Sequence, residues 1–326
     1  MTNDQLYAAA RVAVVDCMGL KPGEKVLIVA DEPEWSVALA LHRVVRELGN
    51  ELLLVEILPR KSNGEEPPAE VAALMKEMDV VLCPTSKSLT HTDARREASA
   101  RGVRVGTLPG ITEEIMVRCL SADYHRIARR TNALCALMDR AEQIRVRAPG
   151  GTDITLPKKG RKAFASTGLF TEKGQWGNLP TGESFLAPLE GESNGVVVVD
   201  GSMATIGIAH VPIRIEVRHG YAEEITGGRE AERFIELLAP HGRDGRNVAE
   251  FGIGTNDKAV ISGIILEDEK VMGTIHIAFG DNKSMGGTVR VASHLDGLVK
   301  RPTVWFDETC IMKDGVFAID LDTNAV

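Results

Sequence analysis

Aromatic residues make up only 4% of this 326-residue chain, too few for the stacking platform that single-stranded nucleic acid requires. Positive charge is in deficit as well. Thirty-eight Lys and Arg stand against 46 Asp and Glu, a net charge of −8, which works against a phosphate-backbone partner. The five cysteines, Cys17, Cys83, Cys119, Cys135 and Cys310, are scattered, with no Cys-x-x-Cys spacing. Its absence argues against a zinc ribbon or redox pair, and the apolar neighbours of the cysteines predict buried thiols in a reducing compartment. No apolar run approaches the length of a membrane span. Met1-Thr2-Asn3-Asp4-Gln5 carries neither a basic n-region nor an apolar h-region. The expectation is a cytoplasmic protein with no nucleic-acid and no membrane partner.

What is present reads as two domains, since the chain is too long for one typical core. Residues 1–140 alternate helix and strand: helix 4–18 capped by Thr2 or Asn3, strand Lys25–Ala30, helix 34–48, strand Glu51–Ile57, helix 69–78, strand Asp79–Cys83, helix 90–101, strand Val103–Leu108 and helix 112–120. Strands separated by helices of this length predict right-handed βαβ crossovers and a parallel sheet. The first strand-to-helix turn, Ala30-Asp31-Glu32-Pro33-Glu34-Trp35, has no glycine triplet and places acids where phosphates would sit, which excludes a dinucleotide or P-loop site there. This domain reads as scaffold. From 141 to 326 the texture is β-rich and glycine-rich. Hairpins are expected over 142–156, 213–226 and 303–315, with a strand at Val196–Asp200 and a helix at 228–239. The fold class is α/β, an N-terminal parallel-sheet βαβ domain followed by a mixed β-rich α+β domain.

The chemistry concentrates in the second half. In an extended Ser293-His294-Leu295-Asp296-Gly297, His294 and Asp296 share one face. His276, in the apolar run Thr274–Gly280, adds a second imidazole. Two imidazoles and a carboxylate can hold a divalent metal with positions left open. Glu250 lies between Ala249 and Phe251, where burial is costly unless the charge is paired or metal-bound, and such apolar surroundings predict a raised pKa. Glu183 lies in a loop framed by Pro180, Gly182 and Phe185. Blander readings exist for each: a core histidine at 276, a buried ion pair of Glu250 with Arg290, a simple turn at Gly280-Asp281-Asn282. Glu267-Asp268-Glu269 reads as a solvated helix face, and His42, His91, His125, His210, His219 and His241 as surface or packing residues.

Taken in order, Asn178-Leu179-Pro180-Thr181-Gly182-Glu183, Ala249-Glu250-Phe251-Gly252-Ile253-Gly254-Thr255-Asn256, His276-Ile277-Ala278-Phe279-Gly280 and His294-Leu295-Asp296 resemble the aminopeptidase T family of metallo-aminopeptidases. The resemblance is strongest from about residue 174 to 315. It implies a cytoplasmic homodimer that removes N-terminal residues from small peptides with two divalent ions (Zn, Co or Mn). It further implies Glu183, Glu250, His276, His294 and Asp296 as ligands, and Glu250 or Glu183 as the catalytic base. The same superfamily includes 2,5-dihydroxypyridine 5,6-dioxygenase, which implies the alternative of one Fe(II) on His276, His294 and Asp296 with both glutamates outside the ligand set. A third reading is a peptide-binding relative without catalysis. One departure bears on the choice. Where the peptidases keep a tyrosine shortly after the first histidine, this chain has Gly280-Asp281-Asn282-Lys283, and its three tyrosines, Tyr7, Tyr124 and Tyr221, lie elsewhere.

Overall fold

The computed structural model describes residues 2–322. The chain divides into two units, Met1–Ala128 with Ser166–Thr181, and Arg129–Ala165 with Gly182–Val326. A single boundary at residue 140 is therefore corrected. The division falls inside the long helix Tyr124–Arg140, which ends at that position, and the chain later returns to the first unit to add a strand.

In the first unit, α1 (Asn3–Arg11) opens with a capping box. Thr2 Oγ1 accepts from Gln5 N at 3.3 Å and Gln5 Oε1 accepts from Thr2 N at 3.1 Å, so two end donors are satisfied reciprocally. The helix expected to reach residue 18 changes winding at Val12. Over Val12–Cys17 it is a π-helix, with Met18 N donating to Ala13 O. The elements β1 (Lys25–Ala30), α2 (Trp35–Glu47), β2 (Glu51–Glu56), α3 (Ala69–Met75), β3 (Val80–Cys83), α4 (Asp93–Ala100), β4 (Arg104–Thr107) and α5 (Glu113–Cys119) then alternate as the sequence predicts. All their strand pairings are parallel. The acidic turn after β1 is closed by Asp31, whose carboxylate accepts from Ser86 N at 2.9 Å and Ser86 Oγ at 2.6 Å.

The 17-residue helix α6 (Tyr124–Arg140) leads into the second unit. There β5 (Gln143–Arg147) and β6 (Asp153–Pro157) form the expected hairpin, followed by β7 (Phe164–Ser166). A short excursion supplies β8 (Trp176–Asn178), the fifth strand of the first unit's sheet, in the order β2-β1-β3-β4-β8. Next come β9 (Glu183–Leu186), β10 (Asn194–Val199), β11 (Ser202–Met203), β12 (Gly207–Ile208), β13 (Ile213–Arg218), β14 (Tyr221–Thr226) and α7 (Arg229–Leu238). The chain continues through β15 (Val248–Gly254), the short α8 (Ile265–Asp268), β16 (Thr274–Gly280), β17 (His294–Lys300), β18 (Thr303–Phe306), β19 (Thr309–Lys313) and β20 (Val316–Phe317).

Two sheets result, ordered β14-β13-β10-β6-β5-β18-β19-β20 and β12-β11-β17-β16-β15-β9-β7. They share one apolar core. Ile144, Val146, Ile154, Leu156, Val197 and Ile215 from the first sheet meet Leu186, Phe251, Ile253, Ile275, Ile277 and Phe279 from the second. Helix α7 adds Ala231, Phe234 and Leu238. Phe234 lies edge-on to Phe279 with ring centres 5.6 Å apart, an arrangement aromatic pairs favour. Among the described residues no helix is long and apolar enough to cross a membrane.

Candidate metal centre

Because Phe251, Ile253, Ile275, Ile277, Phe279, Leu295 and Val299 turn to the core, the residues between them on β15, β16 and β17 occupy the opposite face. Those residues include Glu250, His276, His294 and Asp296, and pairing with β15 brings Glu183 of β9 to the same face. Each has a glycine or alanine directly opposite on a neighbouring strand: Glu183 faces Gly254, Glu250 faces Ala278, His276 faces Gly252, His294 faces Gly280, and Asp296 faces Ala278. The small partners make room for five polar side chains to converge over the sheet. The His276 ring lies so close above Gly252 that a Cβ there would sit 2.1 Å from its Nε2.

All five residues named from the sequence are thus brought together. His276 Nε2 lies 3.1 Å from Glu250 Oε1 and 3.6 Å from Glu183 Oε2. His294 Nε2 lies 3.2 Å from Glu250 Oε2 and 3.4 Å from Asp296 Oδ1. Glu183, Glu250, His276 and Asp296 are buried. The His294 side chain keeps 31% of its exposure, which marks it as the approachable side of the cluster. Its Nδ1 donates to the backbone oxygen of Asp281 at 2.8 Å. That bond fixes the tautomer and turns the Nε2 lone pair inward, the usual support for a ligating imidazole.

The charges shape one another. Burial opposes a proton on His276, yet the hydrogen bond to Glu250 and the charge of Glu183 raise its pKa from 6.5 to about 9. Burial likewise opposes a proton on His294, and the charge and hydrogen bond of Asp296, with Glu250, push its pKa well above the ordinary histidine range. For Glu250 the sequence expectation is reversed. Burial pushes its carboxyl up, but hydrogen bonds from His276 and His294 and their positive charge hold it below the usual carboxylate range. An apolar sequence neighbourhood said nothing about two imidazoles on adjacent strands. The whole is an environment that favours added positive charge.

Does this donor set fit a metal ion? Two donors each about 2.1 Å from a common ion lie roughly 3.0–3.5 Å apart. The 3.1, 3.2 and 3.4 Å separations around Glu250, His294 and Asp296 match that spacing. Donor atoms of Glu250, His276 and Asp296 all fall within 4.8 Å of one another. The residues fit one divalent ion.

A second donor group, Glu183, Glu269 and His276, is equally compact, but it contains a lysine. Lys270 Nζ donates to Glu183 Oε1 at 2.7 Å and also to Glu269 Oε1. The Lys270 side chain is 1% exposed. Glu183 Oε2 is buried and makes no hydrogen bond. Sequence reasoning missed Lys270 and Glu269, because the acidic run 267–269 read as a solvated helix face. That reading is corrected. Glu267 and Asp268 are fully buried, since they cap the segment's own backbone: Glu267 Oε1 accepts from Val260 N, and Asp268 accepts from Ser262 N and Gly263 N. A lysine directly following three acids, between the strands that carry the ligands, was the available signal.

Sheet, donor spacing and chemistry together make a candidate metal centre on one face of a β-sheet in an α/β chain. The family follows from comparison with known proteins. Residues 6–319 match the family model described as 2,5-dihydroxypyridine 5,6-dioxygenase, and the chain belongs to that family. A 2,5-dihydroxypyridine 5,6-dioxygenase of Pseudomonas putida KT2440 is 23% identical over 245 residues, covering 70% of this chain and 68% of the relative. The solved structure of the 2,5-dihydroxypyridine dioxygenase from Pseudomonas putida KT2440 superposes with a TM-score of 0.86 at 18% identity over 99% of both chains. Wild-type AmpT, an aminopeptidase T, from Thermus thermophilus superposes with a TM-score of 0.70 at 17% identity, over 97% of this chain and 99% of that one. At these identities the two structures speak to the fold alone. The dioxygenase family named from the sequence as the alternative is thereby shown, and the likeness to the aminopeptidase T structure is one of fold.

Proposed function

We propose that this chain is a mononuclear non-haem iron oxygenase that opens a dihydroxylated nitrogen-containing aromatic ring, the substrate class named for its Pseudomonas putida relative. The observation that carries the reading is that Glu250, His276 and Asp296 offer donor atoms within 4.8 Å of one another, with His294 Nε2 beside them at 3.2 Å from Glu250 and 3.4 Å from Asp296. Two imidazoles and one carboxylate are the donor set suited to ferrous iron with open positions. The two-ion hydrolase implied by the peptidase resemblance is less well supported, because Glu183 turns one oxygen to Lys270.

In this reading His276, His294 and Asp296 hold the ion, and Glu250 offers a fourth oxygen beside it. The bound ion supplies a redox-active, Lewis-acidic centre. The protein's own groups do the positioning. Asp281 O keeps the His294 ring in one tautomer, Gly252 leaves the space that the His276 ring fills, and Glu250 stays ionised between the two rings. The half-exposed flank at His294 is where a planar ring would enter.

Metal quantification and two assays decide the matter. One Fe per chain, with oxygen uptake on 2,5-dihydroxypyridine, is the expected result. Two Zn, Co or Mn per chain, with amino acids released from short peptides and no oxygen uptake, would overturn it and restore the aminopeptidase reading.

A further inference from the structure

Lys270 is buried beside the candidate centre, yet none of the roles above uses it. Its ammonium sits between Glu183 and Glu269, two of the three residues of the second compact donor group. The third, His276, is shared with the first group. Without the lysine this corner would hold two carboxylates and an edge of imidazole in a buried place, a set that accepts a divalent ion. Glu183 Oε2, buried and without a hydrogen bond, points to the His276 side at 3.6 Å. One oxygen of the same carboxylate is therefore bound by an ammonium while the other has the character of a free donor.

We propose that Lys270 is a built-in cation that takes the place of a second metal ion and so fixes the centre at one ion per chain. The proposal rests on the mononuclear reading above for its context, but its content is the difference that Lys270 makes. Three features support it. The ammonium is held by two carboxylates, and the backbone of the same residue is fixed, since Lys270 N donates to Glu267 O and Lys270 O accepts from Asn256 N. Its neighbours Glu267 and Asp268 are tied to the 260–263 segment, so the lysine is presented from a braced turn. Finally, a monovalent cation on a flexible stem neutralises charge without offering a position to substrate, whereas a metal ion would do both. The lysine thus removes a second Lewis acid from the site while leaving the carboxylates paired.

The test is metal stoichiometry, with Mn(II) as probe, on the full-length wild type, Lys270→Ala and Lys270→Arg. Equilibrium dialysis gives the count, and thermal unfolding with and without Mn(II) gives a second readout. The expected result is one additional Mn(II) in Lys270→Ala over the wild type, none in Lys270→Arg, and a larger rise in melting temperature on Mn(II) addition for Lys270→Ala than for the wild type. Equal counts in Lys270→Ala and wild type overturn the proposal. A wild-type count of zero instead overturns the mononuclear reading, and an extra equivalent in Lys270→Ala would still support the substitution of a metal by the lysine. Should Lys270→Ala fail to fold, Glu183→Gln decides. A count unchanged from wild type is expected, because Glu183 belongs to the lysine, whereas a lost equivalent would put Glu183 in the first ion's shell and refute the proposal.

Discussion

Gly252→Ala tests how the candidate centre is built. Gly252 pairs with His276 across β15 and β16, and a Cβ added to it would lie 2.1 Å from His276 Nε2 and 2.2 Å from Cε1. Ordinary contact begins near 3.4 Å, so the imidazole must retreat by more than about 1 Å, beyond the roughly 0.5 Å that a functional constellation tolerates. The ring has little room for this, since its residue is fully buried and the other face of the sheet is packed core. Overpacking of this kind destabilises by about 1–3 kcal/mol. Displacing a ligand by such a distance should weaken metal binding at least as much as losing an outer support, about 10–100-fold, which is about 1.4–2.7 kcal/mol. Isothermal titration with Mn(II), beside denaturant unfolding of the same protein, separates the two effects. Unchanged affinity in a folded Gly252→Ala protein would refute the view that the His276 ring over Gly252 is a ligand.

Two further perturbations probe other parts of the chain. Glu34 is 9% exposed, and burial, with the nearby Asp31 charge, raises its pKa from 4.5 to about 7. Folding therefore favours the protonated form, so this group's contribution is fully present below about pH 4.5 and is lost as pH rises through 7. Glu34→Gln should gain on the order of 1–3 kcal/mol relative to wild type at pH 8 and little at pH 4, and equal stability differences at both pH values by urea unfolding would contradict this. Asn282 is fully buried and bridges the loop between β16 and β17: its Oδ1 accepts from Val289 N at 3.0 Å and its Nδ2 donates to Glu190 Oε1 at 2.9 Å. Asn282→Ala should destabilise by about 1–3 kcal/mol through the groups left unpaired and speed amide exchange across residues 281–293, and wild-type protection there would count against the clamp.

Much of the architecture was legible because its signals are local. The unbroken apolar run Lys25–Ala30 and the first arm of the hairpin expected from Glu142 to Arg147 are local signatures, and they became the strands Lys25–Ala30 and Gln143–Arg147. The tight turn at His219-Gly220 likewise closed the hairpin it predicted. The three-residue β8 was not legible. Trp176-Gly177-Asn178 is too short for a periodic signal, and only the free edge of β4 gives it a partner. The candidate site divides in the same way. His294 and Asp296 announce themselves by spacing, and Glu183, Glu250 and His276 by order along the chain. Lys270 does not, since its role depends on β9 and β15 bringing Glu183 to the turn after α8. The same limit explains the reversed pKa of Glu250, which is set by two residues 26 and 44 positions away in sequence but on the next two strands of the sheet.

The register of β16 and β17 carries a consequence for variation. His276 and His294 belong to one antiparallel ladder in which Gly280 faces His294, so their separation is set by strand pairing and not by the connection between them. Residues 281–282 and 288–291 anchor that connection through Asp281, Asn282 and Glu190, and the intervening stretch 283–287 closes it, with Met285 buried and Gly286 O accepting from Arg161. A change confined to that tip should leave the spacing of His276 and His294 in place, because the strand register holds it.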